Sequence, residues 1–385
     1  MAQWNGLELD GLVLHSGRLT LRPWQPSDAS RVAEIMAEDR MHAYLNLPRP
    51  YTAESAHQFV ADYAPSGASG GGYLALALAE NSSGRVVGAA GLNGLNGGPT
   101  TPEIGYWVAT DSQGNGYATE ATATLARFAL SNGASRVQVR CDTLNLASAA
   151  VALAAGFRFE GVLRSGVVSS YGTADCAVFG RTASDNGEAV PRAWPILLAL
   201  TDGVVTVRAM TAADWPTILA TENNEEADRW AFSRGPMSDE EARANASRAA
   251  LDWLVGAQAR TVICDATTGA GAGTLLLRRS GPPEVLGIGY GVAPGFRGRG
   301  FTSRALTLVA DWAFTQTGTA RLELGCKRDN IASSRAAEKA GFIADGVFAG
   351  RLRNDDGSYS DELRYSRLRP GRPDLSDLSD LSQAR

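Results

Sequence analysis

The chain has 385 residues, 44% of them hydrophobic and 20% charged, with a net charge of −5 at pH 7. Length and apolar content fit two or three globular domains with sizeable cores, and the mildly acidic balance argues against a general nucleic-acid binder, whose footprint is basic. Four cysteines, Cys141, Cys176, Cys264 and Cys326, occur without a CxxC and without histidines at ligand spacing, so neither a zinc site nor a disulfide framework is expected.

The first residues, Met1-Ala2-Gln3-Trp4-Asn5, carry no basic region and no apolar core, so they do not read as a signal peptide. The apolar run at 196–200 is far too short to cross a membrane. The expectation is a cytoplasmic protein with no membrane contact, no nucleic-acid partner and no metal.

In chain order, 18–22 alternates at period two and predicts a strand. Pro26-Ser27-Asp28 predicts the cap of a helix reaching about 39, and Thr52-Ala53-Glu54-Ser55 opens a second. The stretch 65–72 reads as a flexible Gly/Ser connection. Strands follow at 73–79 and 86–92, around an Asn-Ser-Ser-Gly turn, and then a glycine-rich loop at 93–101. A strand at 104–108 leads through Gln113-Gly114-Asn115-Gly116-Tyr117-Ala118 into an alanine-rich helix to about 131. A strand at 136–141, a short helix at 147–155 closed by Gly156, and strands at 158–163 and 174–182 complete the set.

The same order then returns. Gly17, Arg22, Asp28 and Pro50 match Gly203, Arg208, Asp214 and Pro236, 186 residues on. Gly105, Tyr106 and Gly116 match Gly289, Tyr290 and Gly300 at an offset of 184; Asn145, Ser148, Gly156 and Phe157 match Asn330, Ser333, Gly341 and Phe342 at 185. A drift of one or two residues is what loop insertions give, and the chain reads as two copies of one domain. The expected division is 1–185 and 198–370, joined by a linker at 186–197. A low-complexity Asp-Leu-Ser tail at 371–385 is expected to be disordered. The arginine-rich stretch 364–372 reads as a solvated edge.

A strand, a glycine loop and a helix start in that order make an anion cradle, because loop N–H groups and the helix N-terminus point at one spot. One cradle is a weak signal, which a plain turn between a strand and a helix explains equally well. Two at matching places, with Arg297-Gly298-Arg299-Gly300-Phe301-Thr302 as the second, are a strong one. Neither ends in Gly-Lys-Ser/Thr, which excludes a P-loop nucleotide enzyme.

With Gln113-x-x-Gly116-x-Ala118, Asn145-x-x-Ser148 and Ala155-Gly156-Phe157 in the first half, and Arg297-x-x-Gly300-x-Thr302, Asn330-x-x-Ser333 and Ala340-Gly341-Phe342 in the second, each half resembles the GNAT superfamily of acyl-CoA-dependent N-acetyltransferases. Within it, the likeness is to the branch that acetylates the N-terminal residue of ribosomal proteins. The resemblance implies two tandem GNAT-like α/β domains with mixed sheets. It also implies an acetyl-CoA or other acyl-CoA donor held by Gln113, Gly114, Asn115, Gly116, Tyr117, Ala118 and Asn145, and by Arg297, Gly298, Arg299, Gly300, Phe301, Thr302 and Asn330. Thr302 departs from the Gly or Ala of the family pattern. A pseudo-dimeric domain pair in a monomer, or a homodimer, is a further expectation from the resemblance.

Acyl transfer to an amine needs a group to take the ammonium proton, donors for the developing oxyanion and a proton for the leaving thiolate. Glu103, just before Ile104-Gly105-Tyr106, is the candidate base; the bland reading is a solvated strand-end glutamate. The second copy has Gly287 there and would need another acid, such as Glu222, Glu225, Glu226 or Asp228, or be non-catalytic. Family tyrosine acids would fall at Ala152 and Ala337, so Ser148 and Ser333 become the candidate hydroxyls beside the sulfur, or else ordinary first-turn serines. Asn145 and Asn330 either bond the pantetheine arm or form turns. Cys141 and Cys326 read as small buried residues, not nucleophiles. The acceptor would meet His42, Tyr44 and Arg49 in the first copy and Trp230, Phe232 and Arg234 in the second. The expected function is acyl-CoA-dependent N-acylation of a small-molecule, amino-acid or peptide amine, with the first copy catalytic. The alternative is an acyl-CoA-binding sensor or scaffold.

Overall fold

The computed structural model describes residues 3–4, 7–45, 47–70, 72–95, 101–169, 172–192, 194–230, 235–354 and 356–371. The chain divides into two compact units, Met1–Pro191 and Arg192–Arg385. In the first, β1 (Gln3–Trp4) and β2 (Leu7–Glu8) pair antiparallel as a separate two-stranded sheet. The main sheet holds β3 (Leu14–His15), β4 (Leu19–Arg22), β5 (Tyr73–Glu80), β6 (Val86–Asn93), β7 (Glu103–Val108), β8 (Arg136–Asp142), β9 (Arg158–Ser169) and β10 (Gly172–Thr182). Its order is β3-β4-β5-β6-β7-β8-β10-β9. Helices α1 (Ala29–Met36), α2 (Ala53–Gln58) and α3 (Ala64–Gly70) lie between β4 and β5, α4 (Tyr117–Ser131) between β7 and β8, and α5 (Leu146–Ala154) between β8 and β9.

The second unit repeats this with β11 (Leu200–Thr201), β12 (Val205–Ala209), β13 (Ala259–Asp265), β14 (Gly271–Arg279), β15 (Val285–Val292), β16 (Arg321–Lys327), β17 (Ile343–Arg353) and β18 (Tyr359–Leu368). The order, β11-β12-β13-β14-β15-β16-β18-β17, is the same. Its helices are α6 (Trp215–Glu222), α7 (Glu225–Trp230), α8 (Asp239–Val255), α9 (Phe301–Gln316) and α10 (Ile331–Lys339).

Local pattern explains the elements. Leu19 and Leu21 of β4 are fully buried while Thr20 and Arg22 are half-buried, the period-two signature. In α4, Tyr117, Ala121, Leu125 and Ala129 form a buried stripe at every fourth residue, and the alanines let the helix lie close on the sheet. In each unit one neighbouring pair is parallel, β7 with β8 and β15 with β16; the other sheet neighbours run antiparallel.

Gly88 and Gly273 do the same work in both copies. A Cβ at Gly88 would lie 2.3 Å from the Trp107 carbonyl oxygen, and one at Gly273 2.2 Å from that of Gly291. The obstacle is backbone of the neighbouring strand, so Gly88→Ala is expected to cost about 1–3 kcal/mol through strain. Thermal unfolding of the full chain reads this as a lowered transition of one unit.

Two expectations are corrected. Residues 65–70, expected as a flexible connection, are helical as part of α3. A π turn at Phe59–Tyr63 precedes Pro65 and accommodates its missing N–H. Gly67 lies against the Tyr73 ring, where a Cβ would come within 2.1 Å. The arginine run expected as a solvated edge is packed instead, because carboxylates and carbonyls stand beside it. Arg364 bridges Glu323 (2.9 Å) and Glu362 (3.1 Å), Arg367 meets Asp311 (2.9 Å), and Arg369 donates to the Thr319 carbonyl (2.8 Å). The stretch between the copies is anchored at both ends. The Val190 N–H donates to the Leu153 carbonyl (2.8 Å) in the first unit, and Trp194, 1% exposed, belongs to the core of the second. Residues 372–385, with the expected tail, lie outside the described residues.

Candidate active site

The two glycine loops fold alike. The Gln113 amide donates to the Val108 carbonyl at the end of β7 (3.1 Å), and Arg297 Nε donates to the Val292 carbonyl at the end of β15 (3.0 Å). Gly114 and Gly116 have φ of +79° and +77°, Gly298 and Gly300 +71° and +77°, the left-handed region where a side chain is strained. Gly116 and Gly300 cap α4 and α9 with no capping side chain. The first backbone bonds of these helices are Glu120 N–H to the Gly116 carbonyl (3.1 Å) and Arg304 N–H to the Gly300 carbonyl (3.2 Å). Among the described residues, the N–H groups of 114–119 and 298–303 bond no backbone carbonyl outside the helices' own ladders. A run of unpaired N–H groups at the positive end of a helix fits a pyrophosphate. Thr302 keeps its place in this run through its backbone, so its side chain does not break the pattern.

The cradles differ in charge. In the first, Arg18 donates to the Asn115 carbonyl (2.8 Å) and pairs with Glu120 (2.8 Å). Burial pushes the Glu120 carboxyl up, but hydrogen bonds from Ser16 and from Arg18 outweigh it and hold the group below its ordinary value. The second reverses the charge at the Glu120 position, with Arg304 on Asp202 (2.7 Å), which stands where the first copy has Ser16. Arg299 pairs with Asp265 (2.9 Å), and Arg297 is taken up by Glu226 (2.5 Å) and the Asn224 side chain (2.7 Å).

Leading into the first cradle, the Asp111 carboxyl is held at about 2 by hydrogen bonds from Ser112 first and then from Arg31 and Arg85. Its folded value lies below the unfolded value of about 3.9, so its contribution is present above about pH 4 and is lost as pH falls through about 2. Because the side chain is 43% exposed, Asp111→Asn is expected to flatten acid unfolding in that window by less than about 1 kcal/mol. An acid titration of stability checks it.

Between the parallel strands the sheet opens. β7 and β8 share one register pair, Glu103 with Gln138, and β15 and β16 share three, the last being Gly287 with Glu323. Past these points β7 stays on β6 and β8 on β10, and likewise in the second unit, so each sheet has a gap beside its cradle. Glu103 lies within β7 at the closed end of the gap, its side chain 32% exposed. The Gln138 amide donates to it at 3.4 Å and the Arg140 guanidinium lies at 3.5 Å. In the second unit, Gly287 leaves that place without a carboxylate. Glu323, on the neighbouring strand, is bound by Arg321 (2.7 Å) and Arg364 (2.9 Å). Glu226 is committed to Arg297; Glu222 ends α6, and Glu225 and Asp228 lie on α7.

Asn145 and Asn330 are the N-caps of α5 and α10, accepting from the Ser148 N–H (3.0 Å) and Ser333 N–H (3.1 Å). Each serine hydroxyl meets a tyrosine to which the sequence motifs assign no role. Tyr106 OH lies 2.7 Å from Ser148 Oγ, and Tyr290 OH 2.8 Å from Ser333 Oγ. The available signal was that both tyrosines occupy one repeat position. Cys141 and Cys326 are buried, and burial pushes the Cys141 thiol up to about 12.

The acceptor candidates are scattered. His42 is 6% exposed and its Nε2 bonds the Met36 carbonyl (2.9 Å), the surroundings of a loop-closing residue. Tyr44 is exposed, its hydroxyl donating to the Leu144 carbonyl just past β8 (3.3 Å). Arg49 is exposed before a cis bond to Pro50. Trp230 ends α7, with Arg229 over its ring, and Lys327 at the end of β16 donates to the Arg229 carbonyl (2.9 Å). Phe232 and Arg234 lie outside the described residues.

The chain matches the model of the acetyltransferase (GNAT) domain twice, over 18–158 and 205–343. It is 27% identical over 153 residues to the uncharacterized N-acetyltransferase YoaA of Bacillus subtilis (strain 168), covering 40% of this chain and 86% of that protein. It is 24% identical over 157 residues to the uncharacterized N-acetyltransferase p20 of Bacillus licheniformis, covering 40% and 85%. Similar solved structures include the ribosomal-protein-S5-alanine acetyltransferase of Vibrio fischeri (18% identity, TM-score 0.42, 46% of this chain and 100% of that one). Another is the ribosomal L7/L12 alpha-N-protein acetyltransferase RimL in complex with coenzyme A (22%, TM-score 0.41, 44% and 98%). Two family matches covering most of the chain, on two units of one topology, identify it: the protein belongs to the GNAT acetyltransferases and is an N-acetyltransferase with two such domains.

Proposed function

We propose that the protein transfers an acetyl group from acetyl-CoA to a primary amine of a small molecule, an amino acid or a peptide, with donor and acceptor bound together, and that the first unit carries the reaction. The observation that carries this reading is Glu103 standing in the same gap that ends at an unpaired cradle. From Glu103 to Val108, β7 spans about 17 Å at 3.4 Å per residue, so an extended ligand lying on its free side reaches from loop to carboxylate.

Bound acetyl-CoA supplies an activated thioester. The chain's own groups do the rest. The N–H groups of 114–119 hold the pyrophosphate, and the unpaired edge of β7 lines the arm as an added strand would. Glu103 takes the ammonium proton directly or through a water, and the Ser148 hydroxyl faces the sulfur. For the second unit, Gly287 and the arginine-bound Glu323 and Glu226 favour a second reading: a domain that binds acyl-CoA as sensor or scaffold without deprotonating an amine.

The test is to incubate the full chain with acetyl-CoA and a panel of amino acids, peptides and small amines, following release of free thiol and the mass of the product. The reading expects acetylated product with at least one amine. Thiol release that no amine raises above background hydrolysis overturns it.

A further inference from the structure

Past the Glu103–Gln138 pair, Tyr106 reaches from β7 across the open side of the sheet to the start of α5. Its hydroxyl lies 2.7 Å from Ser148 Oγ and 3.1 Å from the Ser148 carbonyl oxygen. Tyr290 stands in the same relation to Ser333, at 2.8 Å and 3.5 Å. The two copies differ at the carboxylate, Glu103 against Gly287, and at the cradle, Glu120 against Arg304, yet keep this hydroxyl pair.

The two members of each pair are not equivalent. Burial raises the Tyr106 hydroxyl above its ordinary value and pushes Tyr290 up to about 12, so both keep their protons near neutral pH. The serines are half-buried, and their N–H groups are fixed by Asn145 and Asn330 in the first turns of α5 and α10. A serine hydroxyl has one proton and two acceptor positions. The single tyrosine proton has two acceptors in reach, the serine carbonyl oxygen (3.1 Å for Tyr106, 3.5 Å for Tyr290) and the serine hydroxyl oxygen (2.7 Å and 2.8 Å), and the shorter contact is the stronger bond. With the tyrosine donating to the hydroxyl oxygen, one acceptor position is filled and the serine proton is left to point elsewhere.

We propose that Tyr106 and Tyr290 are positioning residues which, by donating to Ser148 and Ser333, turn each serine O–H toward the gap, where it donates to the sulfur of bound coenzyme A. This rests on the donor-site reading above. The serine stabilises negative charge on sulfur as the carbon–sulfur bond breaks and the carbon–nitrogen bond forms. The proton that sulfur finally takes is the one the amine lost, so tyrosine and serine end as they began.

The experiment titrates coenzyme A bound to the full chain, following ultraviolet absorption of the thiolate against pH, with the ligand-free protein subtracted. The bound thiol is expected to ionise at lower pH than free coenzyme A. Tyr106→Phe and Ser148→Ala should each raise that value for one bound equivalent by about one unit, the size of a hydrogen bond to a charged group. Tyr290→Phe should do so for the other. Affinity at pH 6, where the thiol is neutral, should be unchanged in Tyr106→Phe, and Tyr106→Phe/Ser148→Ala should shift ionisation no further than either single change. A purely structural Tyr106 would lower thermal stability and leave thiol ionisation alone. Unchanged ionisation in a folded, coenzyme-binding Tyr106→Phe overturns the proposal, and if that variant does not fold, unchanged ionisation in Ser148→Ala does. No binding of coenzyme A by the wild-type chain overturns the donor-site reading, and this inference with it.

Discussion

Glu103→Gln is expected to lower turnover by about 10²–10⁴-fold, the usual contribution of a positioned general base, while acetyl-CoA binding stays within about twofold because the residue lies at the far end of β7 from the cradle. Glutamine keeps the shape and can still meet the Gln138 amide and Arg140, so packing changes little. The loss should fall on the rate at saturating amine. It should shrink as assay pH rises, since more of the amine then arrives deprotonated. If Glu103→Gln turned over like the wild type, the first unit would have no assigned base. A lost acetyl-CoA affinity would mean that Glu103 serves the fold.

Gly116→Val is expected to weaken acetyl-CoA binding at the first unit by at least about 100-fold. A β-branched residue at φ +77° costs about 1–3 kcal/mol, which the loop relieves by turning its N–H groups away. Each hydrogen bond lost to a charged phosphate removes about 1.5–3 kcal/mol, and 2.7 kcal/mol is already about 100-fold. The added Cβ would also come 3.4 Å from Arg18 Nη2, beside the guanidinium that bonds the loop carbonyl. Gly300→Val should act the same way on the second unit and leave the first untouched. Calorimetry on each variant checks both.

The repeat made the fold legible. The period-two stretch became β4, the apolar run before the first glycine loop became β7, the alanine-rich stretch became α4, and the glycines of both loops take the positive φ that an anion cradle needs. Where the reading fell short, long-range partners decided. The helicity of 64–70 follows from the Tyr73 ring over Gly67 and a π turn ahead of Pro65, and neither is visible in composition. Arg364 reads as a surface charge until Glu323 and Glu362 are placed beside it. The Arg18–Glu120 and Arg304–Asp202 pairs join residues 102 apart, so the partner that answers the change of sign from Glu120 to Arg304 appears only once the sheet is built. Tyr106 was matched to Tyr290 by position, but its partner Ser148 lies 42 residues on, across a gap that exists only where two parallel strands part.

Binding of acetyl-CoA to the full chain, measured by calorimetry, tests the central claim most directly. Two equivalents per chain are expected, one abolished by Gly116→Val and the other by Gly300→Val. A chain that binds no acetyl-CoA, or whose binding survives both substitutions together, would contradict the assignment of the glycine loops as the donor sites.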